Sequence, residues 1–221
     1  MVGTVSGAHS TRQMEQKVSK MSDVTATLPV AGVDLSDARI FTPTEERILT
    51  AALGLIGRRG VRRLGMREIS EAAGVSRGTL YRYFPSKDDV LAAAADYDER
   101  RFSTGLDEVL AAVTVPAERI GVFIAYAFDF IRSHPARSLF ESEPEFVLSY
   151  LLDHLPALRG ELMERLGDAL SAVPAVAEGA LDREQLADVI VRLFLSSWII
   201  PESDEASLVQ SVSRMLQISD T

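Results

Sequence analysis

Within residues 74–91, GVSRGTLYRYFPSKDDVL, eleven consecutive positions hold Arg77, Thr79, Tyr81, Arg82, Tyr83 and Lys87. These side chains suit recognition of a polyanion. A guanidinium bonds a guanine edge in a bidentate way, phenol hydroxyls and an ammonium reach phosphates, and Thr reaches a phosphate or a thymine methyl. Catalysis has no comparable support. The three histidines, His9, His134 and His154, are far apart. The chain has no His-Glu pair at metal spacing, no Gly-rich phosphate loop and no Gly-x-Ser-x-Gly elbow. The expectation is therefore a protein that is not an enzyme, with no metal and no cofactor.

The elements that must position these residues are helices. Thr42, Pro43 and Glu45 form a helix start: a cap that accepts a backbone N–H, a proline suited to the first position, and a carboxylate that reaches back. Ile48, Leu49, Ala52, Leu55 and Ile56 follow at helical spacing, and Gly60 ends the helix. A second, short helix is predicted over 66–73 with Ile69, Ala72 and Ala73 inward. Gly74, Val75 and Ser76 make the turn, with Gly74 suited to a positive φ and Ser76 to a cap. A third helix over 77–84 turns Leu80 and Phe84 inward and sets Gly78 and Arg82 opposite them. Gly78 costs about 1 kcal/mol relative to Ala, which close approach to a DNA backbone would offset. Ser86 caps a fourth helix, with Asp89 in its first turn. Helix, tight turn and basic-aromatic helix form the helix-turn-helix pattern.

Charge follows the same division. The 221 residues carry a net charge of −9. Residues 42–90 hold nine Arg or Lys against six Asp or Glu, a net +3, and residues 91–221 hold ten against twenty-two, a net −12. A basic module joined to an acidic body points to a polyanionic partner at one end. Arg58, Arg59, Arg62 and Arg63 either sit in a solvated loop or together widen a phosphate footprint. The chain lacks cysteine, which excludes disulfides and thiolate metal sites and fits a reducing cytoplasm. No apolar run is long enough to span a membrane. Residues 1–41 lack helical periodicity and read as a disordered arm, with Met14 and Met21 as alternative starts.

Residues 48–94, ILTAALGLIGRRGVRRLGMREISEAAGVSRGTLYRYFPSKDDVLAAA, resemble the DNA-binding domain of the TetR family of bacterial transcriptional repressors. The Phe-Pro-Ser-Lys exit into the next helix is the specific part of the likeness. The resemblance implies that Arg77, Gly78 and Thr79 read bases and that Tyr81 and Tyr83 contact phosphates. It also implies that Arg82 faces the groove, Lys87 clamps a phosphate, and Arg67 supports phosphate or base contacts. Met66 departs from the family's usual Thr or Ser and is assigned no contact. An all-α fold is implied, with the helix-turn-helix domain over 42–90 and a larger effector-binding and dimerisation domain over 91–221. The bacterial cytoplasm is the implied setting, on the nucleoid when the protein is bound.

The body reads as helical throughout. The fourth helix should run over 87–111. A fifth over 116–134 carries Ile120, Phe123, Ile124, Ala127, Phe128, Phe130 and Ile131 and should be buried all round. Further helices are predicted over 138–152 and 156–173, then from the Asp182–Gln185 capping box to residue 200, and a last one carries Leu208, Val212 and Leu216. Phe123, Tyr126, Phe130, Phe146, Tyr150, Phe194 and Trp198 either line an effector pocket or pack the core. Tyr126, Tyr150 and Trp198 are favoured as lining because a buried hydroxyl or indole N–H needs a partner. Arg132, Arg137 and Arg192 meet an anionic head group or pair on the surface. Leu186, Ile190, Leu193 and Ser197, with Leu208, Val212 and Leu216, are candidates for a dimer face; intrachain packing is the competing reading.

Three functions follow. The first is a homodimeric repressor of a palindromic operator, released by a small, largely apolar effector. The others are a DNA-tethered protein-interaction module and an activator without a small-molecule effector.

Overall fold

The computed structural model describes residues 40–199, together with residues 211 and 214. Among the described residues every regular element is a helix. The first, α1, spans Pro43–Arg59. Its capping box closes as the residue types require: Thr42 Oγ1 accepts from the Glu45 N–H at 3.3 Å and Glu45 Oε2 accepts from the Thr42 N–H at 2.8 Å. Ile48, Leu49, Ala52, Leu55 and Ile56 are buried, and Gly60 leaves the helix at φ 80°.

The next pair, α2 (Met66–Ala73) and α3 (Arg77–Tyr83), is joined by Gly74 in the left-handed conformation, φ 62°. Ser76 Oγ accepts from the Thr79 N–H at 3.0 Å and caps α3. Ile69 and Ala73 point inward as expected, but Ala72 is exposed. Positions 66, 69, 70 and 73 share one stripe and 72 falls outside it. Ser70 takes the inward place, its hydroxyl donating to the Arg67 carbonyl at 2.8 Å.

The long helix α4, Lys87–Ala111, starts at a second capping box between Ser86 and Asp89. At 25 residues it is about 37 Å long and crosses residue 90 without a break. The body adds α5 (Pro116–Ser133), α6 (Leu139–Ser142), α7 (Pro144–Ala172), α8 (Pro174–Ala177) and α9 (Arg183–Ile199). Asp182 and Gln185 exchange bonds at 2.9 and 2.7 Å ahead of α9.

Three body and arm expectations are corrected. Helix α5 is not buried all round: Ala125, Asp129 and Arg132 form an exposed stripe, because its second face is left uncovered by α4, α7 and α9. Residues 144–172 form one helix that runs through Pro156. A proline removes one backbone donor, and the residue four earlier, Leu152, is 61% exposed, so water can serve its carbonyl. Phe41, expected in the arm, is buried and meets the Tyr97 ring edge-on at 5.6 Å. Leu208, Val212 and Leu216 of the last predicted helix lie outside the described residues, while Ser211 and Arg214 are helical.

Two apolar clusters hold the chain together. The first joins α1, α2, α3 and the start of α4 to Ala136, Leu139, Val147 and Leu151 of the body. The second joins the far end of α4 to α5, α7 and α9. Helix α4 is thus common to both, and the small domain's core is completed by residues of the large one.

Candidate nucleic-acid interface and effector cavities

Helix α3 has the division that the sequence requires. Leu80 and Phe84 are 0% and 1% exposed, while Tyr81 is 51% exposed. Arg77, Gly78, Tyr81 and Arg82 are all exposed and occupy one continuous arc, since steps of 100° bring 77, 81, 78 and 82 side by side. The Arg82 guanidinium lies over the Tyr83 ring, 5.2 Å from its centroid, which steers both groups. Thr79 is half-buried and its hydroxyl shares a 2.8 Å bond with Ser76 Oγ. A Cβ added at Gly78 would meet nothing nearer than Ser76 Oγ at 3.9 Å. The fold does not itself require glycine there.

The flanking cations are less free. Arg67 Nε bonds Glu71 Oε1 at 2.8 Å on the surface of α2, and that bond raises the guanidinium's already high pKa and lowers that of the carboxyl. Lys87 Nζ donates to the Val61 carbonyl at 2.6 Å, so one of its three N–H groups secures the α1–α2 loop. Arg58, Arg59, Arg62 and Arg63 are exposed. Met66 gives no side-chain cap to α2 and instead packs on the first cluster.

Sequence reasoning missed Arg47. Its Nη2 donates to the Ala73 carbonyl at 2.9 Å and the Gly74 carbonyl at 3.3 Å. It ties α1 to the turn that aims α3. Nothing in local spacing marks a residue 26 positions away as its partner.

The two domains meet at the corner between α5 and α6. A Cβ on Gly57 would overlap the Pro135 carbonyl and come within 3.0 Å of Ala136 Cα. Ser138 Oγ donates to the Gly57 carbonyl, and Glu143 Oε1 accepts from the Arg62 N–H at 3.1 Å. His134, read from sequence as a helix-end residue, also bonds α4. Its Nε2 lies 2.6 Å from Asp98 Oδ2, and its Nδ1 accepts from the Ala136 N–H at 3.1 Å. With Nδ1 an acceptor, the ring proton belongs on Nε2 and is donated to the carboxylate.

Two cavities adjoin this junction. One, of about 160 Å³, is lined by Leu53, Ile56 and Val61 of the small domain, by Leu91, Ala94, Ala95 and Asp98 of α4, and by His134, Ala136, Leu139, Phe146, Val147, Tyr150 and Leu151. The other, of about 110 Å³, is lined by Asp98, Glu99, Phe102, Phe130, Tyr150, Leu151, Ala157, Leu158, Glu161, Phe194 and Leu195. Of the predicted pocket residues, Phe146 borders the first, Phe130 and Phe194 the second, and Tyr150 both. Phe123 borders a third space of about 20 Å³. Tyr126 lines none of these three; its hydroxyl donates to the Phe102 carbonyl at 3.0 Å. The Trp198 and Ser197 side chains lie outside the described residues.

Phe102, not predicted, is the hub of the aromatic group, with ring centroids 5.1 Å from Phe130, 5.5 Å from Tyr126, 5.9 Å from Phe194 and 6.5 Å from Phe123. The spacing 98, 102, 106, 110 along α4 was the available signal. Arg132 pairs with Asp129, and Arg192 pairs with Asp188 at 2.6 Å, both on the surface; neither they nor Arg137 line a described cavity. Leu186 and Ile190 are 0% and 2% exposed inside this chain's own second cluster, and Leu193 packs against it.

A helix-turn-helix with an outward basic-aromatic arc, carried on a larger helical body, defines the class of DNA-binding transcriptional regulators. The sequence model of the family described as "Bacterial regulatory proteins, tetR family" matches residues 48–94. The HTH-type transcriptional regulator MT1294 of Mycobacterium tuberculosis is 32% identical over 183 residues, covering 80% of this chain and 85% of that protein. The chain belongs to the TetR family and is a transcriptional regulator. The HTH-type transcriptional repressor KstR of M. tuberculosis is 28% identical over 176 residues, 79% of this chain and 77% of KstR. Among solved structures, the fatty acid degradation regulator FadR from Bacillus halodurans shares the fold, with a TM-score of 0.57, 23% identity and coverage of 80% of this chain and 96% of that one. Among the described residues no helix is long and apolar enough to cross a membrane.

Proposed function

We propose that the protein is a homodimeric repressor that binds a palindromic operator and is released by a small, largely apolar effector. The observation that carries DNA reading is the exposed arc of Arg77, Gly78, Tyr81 and Arg82 backed by the buried Leu80 and Phe84. One short helix reads only a few base pairs, so a two-fold pair reading half-sites about one helical turn or a multiple apart is the economical design. The repressor named KstR among its relatives supports the sign of regulation. Since Leu186 and Ile190 serve the intrachain core, the apolar side chains open to a second copy include, among the described residues of the body, Leu148, Leu152 and Val189, between 44% and 61% exposed.

Effector control is supported by the cavities and by what surrounds them. A structure of FadR from Bacillus subtilis, 21% identical, contains stearoyl-CoA. In this chain the larger cavity has walls from both domains. An occupant that moves Asp98 or His134 acts on α4 directly and on α1 through the Pro135–Gly57 contact, and so changes the spacing of the two recognition helices. Moving the binding equilibrium from 1:99 to 99:1 takes about 5.5 kcal/mol of differential affinity, which two effector sites in a dimer can share.

The test is an electrophoretic mobility shift on DNA from the protein's own promoter region, comparing wild type with Arg82→Ala. The wild type should shift a discrete fragment and the variant should need ten- to a hundredfold more protein, on the order of 1–3 kcal/mol. Equal affinity would remove the groove-reading assignment.

A further inference from the structure

The chemistry of the shared cavity wall narrows the effector class. Asp98, Tyr150 and Leu151 line both the 160 Å³ and the 110 Å³ cavity, which makes them two lobes with one common wall. An apolar cavity of about 150 Å³ accepts a benzene ring, so each lobe suits about one ring. The acidic groups that line the wall are Asp98, Glu99 and Glu161. Asp98 accepts from His134 Nε2 at 2.6 Å and from Arg101 Nη1 at 3.4 Å. The second lobe adds Glu99 and Glu161, and Glu161 is engaged by Ser103 Oγ at 3.3 Å and Arg165 at 3.5 Å. Among the described residues, no Arg or Lys lines either lobe. His134, with its Nδ1 taken by the Ala136 N–H, faces the first lobe. Burial, with Asp98, Glu99 and Asp96 nearby, raises the Tyr150 ionisation far above the ordinary phenol value, so its hydroxyl keeps its proton.

We infer that the effector is a compact apolar molecule with about one ring in each lobe, carrying a hydroxyl or ammonium donor where the lobes meet, and carrying no carboxylate or phosphate there. The donor bonds the Asp98 carboxylate in competition with His134, and the Tyr150 hydroxyl completes the polar contact. An anionic head at that wall would lose its hydration beside carboxylates, with no lining cation among the described residues to replace it. This assignment rests on the effector-responsive reading above and makes it chemically specific.

Three probes of one shape test it: diphenylmethanol, diphenylmethanamine and diphenylacetate, added to the full chain in thermal-shift and calorimetric titrations. The alcohol or the amine should raise the melting temperature by about 5 °C near saturation and bind at least about tenfold tighter than the acid. Asp98→Asn removes the charge with little change of shape and should collapse that preference to under about threefold. Tyr150→Phe should weaken the alcohol severalfold and decides the matter should Asp98→Asn fail to fold. The assignment is overturned when diphenylacetate binds as tightly as the alcohol, when the preference survives Asp98→Asn in a folded protein, or when no probe binds. A promoter mobility shift on the same samples separates the two readings: intact DNA binding without probe binding removes only the effector class, and donor-selective binding without DNA binding removes only the operator reading.

Discussion

His134 Nε2 and Asp98 Oδ2 stand 2.6 Å apart, and with that bond the end of α5 is fixed to the middle of α4, on the wall of the larger cavity. The His134 side chain is 6% exposed and the Asp98 side chain 22%, so water competes poorly for the pair. The same imidazole holds the Ala136 N–H, one residue beyond the proline that abuts Gly57. One side chain therefore touches the cavity, the long helix and the corner seated on the DNA-binding domain.

Breaking this bond should cost stability in a way that is not additive. His134→Ala and Asp98→Ala should each destabilise the protein by about 1–3 kcal/mol, or roughly 2–4 °C of melting temperature per kcal/mol for a chain of this size. The double variant should cost less than the two combined, by about 0.5–3 kcal/mol. Denaturation of all four proteins of the cycle checks it; strict additivity would show that the pair is not coupled.

Gly78 and Arg82 should separate folding from DNA binding. The space around Gly78 admits a methyl group, so Gly78→Ala should raise stability by up to about 1 kcal/mol while lowering promoter affinity, because the new methyl projects into the surface meant for DNA. Arg82→Ala should leave the melting temperature unchanged and flatten the salt dependence of binding by at most about 0.9 in log–log slope if it neutralises a phosphate. A Gly78→Ala protein that binds DNA as well as wild type would mean that nothing approaches that position closely.

Two glycines of α1 should respond in opposite directions. At Gly57 a methyl would overlap the Pro135 carbonyl, which is backbone, whereas at Gly54 it would come within 3.3 Å of the Arg58 guanidinium, which can swing away. Gly57→Ala should therefore destabilise by about 1–3 kcal/mol, and Gly54→Ala should be neutral or stabilising by up to about 1 kcal/mol. Urea melts of the two proteins compare them directly; a stabilised Gly57→Ala would contradict the seated corner.

Tyr150 should make the fold sensitive to alkali. Its folded pKa is raised, first by burial and then by the nearby carboxylates, so the folded state holds a proton that the unfolded chain gives up near pH 10. The associated stability is complete below that pH and is lost as the pH rises above it, by at most about 1.4 kcal/mol per pH unit. Urea midpoints measured between pH 9 and pH 11 should fall more steeply for wild type than for Tyr150→Phe. Parallel curves would show that the phenol ionises as easily folded as unfolded.

What could be read in the chain beforehand was whatever neighbours decide. The capping pairs Thr42 with Glu45, Ser76 with Thr79, Ser86 with Asp89 and Asp182 with Gln185 each lie three residues apart, and their bonds follow from side-chain reach along one helical turn. Leu80 and Phe84, four apart, were bound to share a face, which left Gly78 and Arg82 on the other. The exposed face of α3 was thus settled by the order of residues alone, helped by Gly74 at the one position where a positive φ is needed.

The tertiary structure decided the rest, and decided it through distance along the chain. Arg47 finds its carbonyls 26 residues away, Asp98 finds His134 after 36, and Ser138 finds Gly57 after 81. Packing likewise makes Phe102 the centre of the aromatic group, exposes one stripe of α5, and carries a helix through Pro156. Helical periodicity says which residues share a face but not what that face meets. The partner depends on how helices from distant parts of the chain pack, which no short window of sequence contains.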